Sequence, residues 1–116
     1  MGRRNQDKPV YKRPRIPNSR NGEIMGVVTE IFGGGRMRVV ADDGEEYMGI
    51  IRGKLKKRMW VRRGDLVLIV PWEFESDRKG KLPKSHIIWR YTRTQTTWLK
   101  NHNVIKKEFL DELHNI

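Results

Sequence analysis

The chain has 116 residues, the size of one ordinary domain, and it carries a net charge of +11 with no cysteine. Only 36% of the residues are hydrophobic and 34% are charged, so the composition predicts a small core with polar tails. Without cysteine, a disulfide framework and a thiolate zinc site are excluded, and a reducing compartment is the simplest. The longest apolar run, residues 66–71, is too short to span a membrane, and the basic N-terminus does not resemble a secretory signal. We therefore expect a cytoplasmic protein without membrane contact.

The positive charge is concentrated in two stretches of the chain. Residues 1–20 hold seven basic groups and one acid, and residues 52–63 hold seven basic groups and no acid. Clustered lysine and arginine are typical of nucleic-acid binding, because cations that neutralise phosphates release counterions. The alternative is a solvated charged surface without a ligand.

The first half of the chain contains a polar arm followed by strand patterns. Residues 1–22 are predicted to be a flexible basic arm, because they contain three prolines and almost nothing apolar. Strands are predicted at residues 24–32, 36–41 and 45–52. A run of three glycines separates the first two strands, and an Asp-Gly turn separates the second from the third.

The second half begins with a break in the strand pattern. Residues 54–58 are predicted to be a short helical or irregular connector. The run 66–70 is apolar on both faces, which predicts a strand buried from both sides, and 86–91 is the fifth strand. The apolar period then changes to that of a helix, with Thr94 as the expected cap of one helix and a second helical pattern over 105–116.

Five strands with the longest connector between the third and the fourth follow the order of an OB-fold, a small Greek-key barrel that commonly binds oligonucleotides. The predicted fold class is all-β, with an arm over 1–22, a five-stranded barrel over 23–91 and a helical C-terminal extension over 92–116. Trp72 and Trp89, at strand ends, are predicted to belong to the core.

The sequence contains no pattern of residues that indicates catalysis. The three histidines, at positions 86, 102 and 114, lack the spacing of metal ligands, and no serine lies in a G-x-S-x-G motif. The glycines at 33–35 do not complete a dinucleotide fingerprint, and Gly53-Lys54 lacks the rest of a phosphate loop. We therefore predict that the protein is not an enzyme and has neither a metal nor a cofactor.

Residues suited to RNA binding lie on the second predicted strand and on the connector. Arg36 and Arg38 are two residues apart, so they project from the same face, although a merely polar outer face is the alternative. Residues 52–58 place five cations within seven positions, and Trp60 follows. Cations can neutralise phosphates while an aromatic ring stacks on a base. A second interpretation, shared with Tyr47 and Phe32, is that Trp60 covers the barrel.

Several blocks of the sequence resemble the translation initiation factor 1A family, and they follow one another in the family's order. The blocks are GGGRMRV at 33–39, DG at 43–44, IRGKLKKRMWV at 51–61, GDLVL at 64–68, PW at 71–72 and IWRY at 88–91. The sequence lacks the long acidic C-terminal tail of eukaryotic members, so the archaeal form is the expected one.

The resemblance implies an S1-like OB barrel that binds ribosomal RNA of the small subunit at the decoding (A) site. It further implies support for initiator tRNA recruitment to the pre-initiation complex and for start-codon selection, by a monomer without cofactors. On the same fold, the alternative is a general single-stranded RNA chaperone of the cold-shock type. The implied RNA contacts are Arg36, Arg38, Arg52, Lys54, Lys56, Lys57, Arg58 and Trp60, and the candidate arm contacts are Lys12, Arg13 and Arg15.

Two regions depart from the family's usual pattern. The loop 76–85 is longer and adds Lys79, Lys81 and Lys84, either as a further RNA contact or as a tolerated surface insertion. The amphipathic C-terminal end has two open interpretations: it docks on the partner initiation GTPase, 5B, or it packs back on the barrel. The residues concerned are Phe109, Leu110 and Leu113.

Overall fold

The computed structural model describes residues 14–53, 60–72, 81–106 and 108–110. Within these ranges the strands form one closed barrel in the order β1-β2-β3-β5-β4, in which the pairing is antiparallel except between β3 and β5. The predicted five-stranded barrel is therefore confirmed. The elements are β1 (Ile24–Gly33), β2 (Arg36–Ala41), β3 (Glu46–Ile51), β4 (Leu66–Pro71), β5 (Lys84–Arg90) and α1 (Arg93–Asn101), preceded by a 3₁₀ turn at Ser19–Asn21.

The barrel closes because β1 is long enough to pair with β2 along most of its length and with β4 near its start. Two register shifts, between Val28 and Glu30 and between Ile31 and Gly33, bend the strand. At Gly26 the backbone of β2 approaches so closely that a Cβ atom would lie 2.9 Å from the carbonyl oxygen of Val40. A side chain at this position would therefore force the two strands apart.

The interior of the barrel is filled by inward-facing side chains of all five strands. On β2 buried and outward-facing residues alternate, with Met37, Val39 and Ala41 buried. We call this set the inner core. Its members are Val28, Met37, Val39, Ala41, Ile51, Val67, Ile69 and Ile87.

A second apolar cluster, which we call the outer core, lies on the other face of β1 and β4. Leu66 and Leu68 alternate with the inner-core residues of the same strand and pack against the C-terminal extension. This arrangement confirms the prediction that the run 66–70 is covered from both sides. The buried members of the outer core are Met25, Val27, Leu66, Leu68, Tyr91, Leu99, Ile105 and Leu110.

The helix α1 begins earlier than the sequence suggested. Thr92 is the N-cap: its hydroxyl oxygen accepts the backbone N–H of Gln95 at 3.1 Å, and its own N–H donates to the Gln95 side chain at 3.0 Å. The expectation of a cap at Thr94 is wrong, because Thr94 lies inside the first turn, whereas Thr92 has the extended backbone a cap requires.

The expectation that Trp72 and Trp89 belong to the core is also wrong. Trp72 is only partly buried, and Trp89 is 37% exposed. A register shift on the β4–β5 pair makes Ile87, rather than Ile88, the partner of Ile69. The extra residue interrupts the alternation of β5, so Ile87 fills the inner core, Ile88 packs on the outer core and Trp89 is left at the surface.

Residues 14–22 of the predicted arm lie against the barrel. Tyr91 donates its hydroxyl hydrogen to the carbonyl oxygen of Arg15 at 2.5 Å, and burial raises the pKa of this tyrosine to about 12, so it remains a donor. The buried carboxylate of Glu23 accepts hydrogen bonds from the Arg15 guanidinium at 3.1 Å and from the N–H of Asn18 at 2.9 Å. We call these contacts the latch.

Candidate nucleic-acid interface

The two arginines predicted on β2 are present at its outer face but have different surroundings. Arg36 is exposed at the start of the strand. Arg38 forms ion pairs with Glu46 at 2.8 Å and with Glu30 at 3.5 Å, one carboxylate from each neighbouring strand. Its guanidinium also lies 6.0 Å from the ring centroid of Phe32. Arg38 must therefore break its ion pairs with Glu30 and Glu46 before it can bind a phosphate. Arg36 takes part in neither of these two ion pairs.

The basic connector begins where β3 ends. Arg52 is exposed there, next to the buried Ile51. Four of the predicted contacts lie outside the described residues, so their contact with RNA stays a prediction; they are Lys54, Lys56, Lys57 and Arg58.

Trp60 follows the connector and is 75% exposed, so its indole does not cover the barrel. The sequence left the same two interpretations open for Tyr47 and Phe32, and these two residues differ in their burial. Tyr47 is partly buried and packs on the inner core, and its hydroxyl donates to Asp43 at 3.4 Å. Burial, together with the charges of Asp43 and Glu45 and this hydrogen bond, raises its pKa. Phe32 is 45% exposed at the end of β1 and is available for stacking.

A polar groove of 610 Å³ runs from Trp60 to α1, and it was not predicted from the sequence. Cations from three segments line the groove, and one of them, Arg90, is 3.9 Å from the carboxylate of Asp65. Two of the cations lie in the basic stretch noted in the sequence. The other three come from β5 and α1, and only tertiary packing brings them to the groove. The cations are Arg62, Arg63, Arg90, Arg93 and Lys100.

The opposite end of β2 is acidic. The turn between β2 and β3 carries Asp42, Asp43 and Glu45, all exposed. Partial burial and the neighbouring charge of Asp43 raise the pKa of Asp42, and Lys106 opposes this effect. The surface charge therefore changes sign along β2, with cations near the start of the strand and carboxylates at the turn that follows its end.

Both chain ends bear on the predicted contacts. Of the three arm residues, Arg15 belongs to the latch, while Lys12 and Arg13 lie outside the described residues. At the other end, Leu110 is 1% exposed in the outer core and Phe109 packs against it. This segment therefore packs back on the barrel, one of the two interpretations left open by the sequence. Leu113 lies outside the described residues.

The described histidine, aspartate and glutamate side chains form no group of three or more that could hold a metal ion. No helix in the described ranges has the length and apolar character that a membrane crossing requires.

A closed five-stranded barrel with an exposed tryptophan beside a groove of cations has the architecture of an OB-fold, a class of barrel that commonly binds oligonucleotides. The family model described as Translation initiation factor 1A / IF-1 matches residues 12–114. The chain belongs to the translation initiation factor 1A family, which confirms the resemblance seen in the sequence. Its relatives are initiation factors, which are not enzymes.

Individual relatives cover almost the whole chain. Translation initiation factor 1A of Methanococcus aeolicus is 44% identical over 108 residues, which are 90% of this chain and 98% of that protein. The factor of the same name from Methanothermobacter thermautotrophicus is 46% identical over 91% of this chain and 99% of its own length. The solution structure of a translation initiation factor from the Wolbachia endosymbiont of Brugia malayi has a TM-score of 0.45, with 29% identity over 64% of this chain and 82% of that one.

Proposed function

We propose that the protein binds ribosomal RNA of the small subunit at the decoding (A) site. Bound there in the cytoplasm, it supports initiator tRNA recruitment to the pre-initiation complex and start-codon selection. Family membership supports the role in initiation, and the described surface supports RNA as the ligand.

The observation that carries the proposal is the exposure of Trp60. An indole that is 75% exposed leaves a large apolar surface in water, which folding alone does not favour. Base stacking on an aromatic ring contributes about 1–3 kcal/mol and does not depend on the identity of the base. Trp60 also borders the groove of cations, so a base on the ring brings its phosphates to those side chains.

The charges of this surface determine how binding responds to salt. Each phosphate neutralised on a single-stranded element lowers the logarithm of the binding constant by about 0.7 per tenfold rise in salt. Arg36, Arg52 and the groove cations are the described residues in position to make such contacts. Binding to the isolated subunit is therefore expected to weaken steeply between low and physiological salt.

The first experiment measures binding of Trp60→Ala to isolated small subunits by sedimentation at about 150 mM salt. We expect about tenfold weaker binding than wild type, and near wild-type binding for Trp60→Phe, which keeps a stacking ring. The matched control is Ile16→Ala, which removes a 43% exposed apolar side chain from the N-terminal segment. Wild-type binding by Trp60→Ala would contradict the role given to this residue.

A charge reversal of Lys56, Lys57 and Arg58 to glutamate tests the basic connector, and we expect it to abolish subunit binding while the barrel stays folded. Footprinting of the bound subunit then tests the location, because the proposal requires protection at the decoding site. An unrelated RNA oligomer that competes as well as purified subunits would instead indicate a chaperone of the cold-shock type.

Docking of the initiation GTPase 5B on the C-terminus is a separate part of the proposal. Because Leu110 is buried in the outer core, such docking must use Phe109 and Leu113 or release the segment from the barrel. Alanine at Phe109 is expected to weaken pull-down of 5B without changing subunit binding, and an unchanged pull-down would argue against this surface.

A further inference from the structure

A second depression lies at the other side of the barrel, where β4 ends and β5 begins. It has a volume of 1030 Å³ and is bounded by the 3₁₀ turn Ser19–Asn21, the end of β4 and two aromatic rings, those of Trp72 and His86. None of these residues lines the groove beside Trp60. Any ligand of this depression is therefore bound independently of that groove.

The two rings have hydrogen-bonding capacity that the protein does not use. The centroids of Trp72 and His86 are 5.2 Å apart, with the ring planes inclined by 43°. The indole Nε1 of Trp72 and the Nδ1 of His86 are both buried, and neither has a hydrogen-bond partner among the residues that the structure describes. Buried polar atoms are almost always paired, so these two atoms leave hydrogen-bonding capacity unused at the depression.

A lysine covers the tryptophan ring. The Lys84 ammonium lies 5.3 Å from the centroid of the Trp72 ring, and the backbone N–H of Trp72 donates to the Lys84 carbonyl oxygen at 2.9 Å. The backbone contact fixes the two residues side by side, while the long lysine side chain can move. A cation over an aromatic face is weakly held when it is partly exposed, so a base can take its place.

The rim of the depression suits an anion. Arg20 is exposed on the 3₁₀ turn, opposite the ring pair. Glu23 also lines the depression, but its two carboxylate oxygens are engaged by Arg15 and Asn18, which offsets its repulsion of a phosphate. A cation at the edge, aromatic rings within and unpaired ring nitrogens together match a nucleotide.

We propose that this depression binds one nucleotide of single-stranded RNA, as a second RNA contact separate from the Trp60 groove. The base stacks on Trp72 in the place of the Lys84 ammonium, and its polar edge pairs with Nδ1 of His86, whose ring is inclined by 43° to the indole. The displaced ammonium and Arg20 bind the adjacent phosphate. The proposal rests on the proposed function only for the class of ligand, not for the site on the ribosome.

The test uses NMR of the full chain with ¹⁵N-labelled indoles, since the four tryptophans give four indole signals that single Trp→Phe variants assign. A uridine or adenosine hexanucleotide is the probe, with adenosine monophosphate as the free-nucleotide arm. We expect the Trp72 signal to shift with the hexamer, and with the mononucleotide only at a concentration at least tenfold higher. A mononucleotide that binds as tightly as the hexamer would mean a site for free nucleotides and would overturn the RNA assignment.

Lys84→Gln supplies the second measurement, with Lys81→Gln as the matched control, because Lys81 is an exposed lysine near the same connection. We expect the Trp72 titration to weaken about fivefold in the first variant and less than twofold in the second. Equal effects, or a Trp72 signal that stays still while Trp60 saturates, would overturn the proposal. The Trp72 shift should persist when Lys56, Lys57 and Arg58 are replaced by glutamate, so a failure of subunit binding leaves this test intact.

Discussion

The inner and outer cores share strands β1 and β4, but the inner core stabilises the barrel and the outer core stabilises the packing of the C-terminal extension on it. On β4, Val67 and Ile69 face the barrel interior, while Leu66 and Leu68 face the C-terminal extension. The buried side chains of the inner core all come from strands, and Val61, outside the strands, packs against them. The outer core exists only while α1 and the segment to Leu110 lie on β1 and β4, so it ties the extension, and through Tyr91 the N-terminal latch, to the barrel.

This difference assigns separate roles to the two cores. The inner core sets the barrel and so the positions of the β2 arginines. The outer core holds α1, which supplies Arg93 and Lys100 to the groove beside Trp60. Loss of the outer core should therefore damage the groove before it damages the barrel.

The largest expected effects come from a matched pair of truncations, Ile69→Ala and Leu99→Ala, each at a residue with 0% exposure. Both should lower the free energy of unfolding by about 3 kcal/mol, the usual cost of a buried cavity of this size. Native-state amide exchange should distinguish them. Leu99→Ala should speed exchange in both α1 and the inner strands, because local and global opening both break its contacts. Ile69→Ala should speed exchange in the inner strands and leave α1 unchanged, because α1 can open while Ile69 stays packed.

The same experiment can break the comparison. If Ile69→Ala speeds exchange equally in α1 and in β2, the two cores unfold as one unit and the separation of roles is lost. Leu99→Ala provides the reference, since it should speed exchange in both regions together.

The latch predicts a smaller, pH-dependent effect at Glu23. Burial alone would raise the pKa of this carboxyl, but the N–H of Asn18 and the charge and hydrogen bond of Arg15 outweigh it and lower the pKa below the ordinary 4.5. Because the folded pKa is depressed, the stabilisation is present above about pH 4.5 and is lost as the pH falls through the folded value.

Glu23→Gln should therefore lower the free energy of unfolding by about 2 kcal/mol at pH 7, the range for hydrogen bonds to a charged group. The difference from wild type should shrink on acidification below pH 4.5, measured by denaturant unfolding across the pH range. Glu108→Gln, at an exposed carboxylate, is the control and should leave stability unchanged. If the difference in the free energy of unfolding between Glu23→Gln and wild type were constant with pH, the latch would depend on the shape of the side chain rather than on its charge.

Much of the barrel was predictable because the alternation of buried and outward-facing residues along its strands can be seen in short stretches of sequence. On β2 each buried residue sits between polar or half-buried ones, and the Asp43-Gly44 turn sets the hairpin. The run 66–69 was also informative, since a strand apolar on both faces needs cover on both. The exposure of Trp89 was not predictable, because it follows from one extra residue in β5 that only the pairing with β4 reveals.

The candidate site was predicted in its parts but not in its assembly. The basic connector and Trp60 stand out in the sequence. The ion pairs of Arg38 depend on which residues of β1 and β3 lie beside it, and pairing register is a tertiary property. Arg93 and Lys100 join the groove because the outer core holds α1 against the barrel, and no local sequence pattern predicts that contact.

The smallest effect tests the start of α1, where the outer core begins. Thr92→Ala removes the hydroxyl that caps Gln95 and should cost about 1 kcal/mol, seen as a fall in Tm of about 4 °C. Thr94→Ala is the matched control, because Thr94 is exposed within the helix and alanine is a better helix former, so stability should change by less than about 0.5 kcal/mol. Because Arg93 directly follows the cap, Thr92→Ala should also weaken RNA binding at the groove slightly, which Thr94→Ala should not do. A larger loss of Tm from Thr94→Ala than from Thr92→Ala would mean that Thr92 is not the cap of the helix. The cap at Thr92 would then not position Arg93 at the groove.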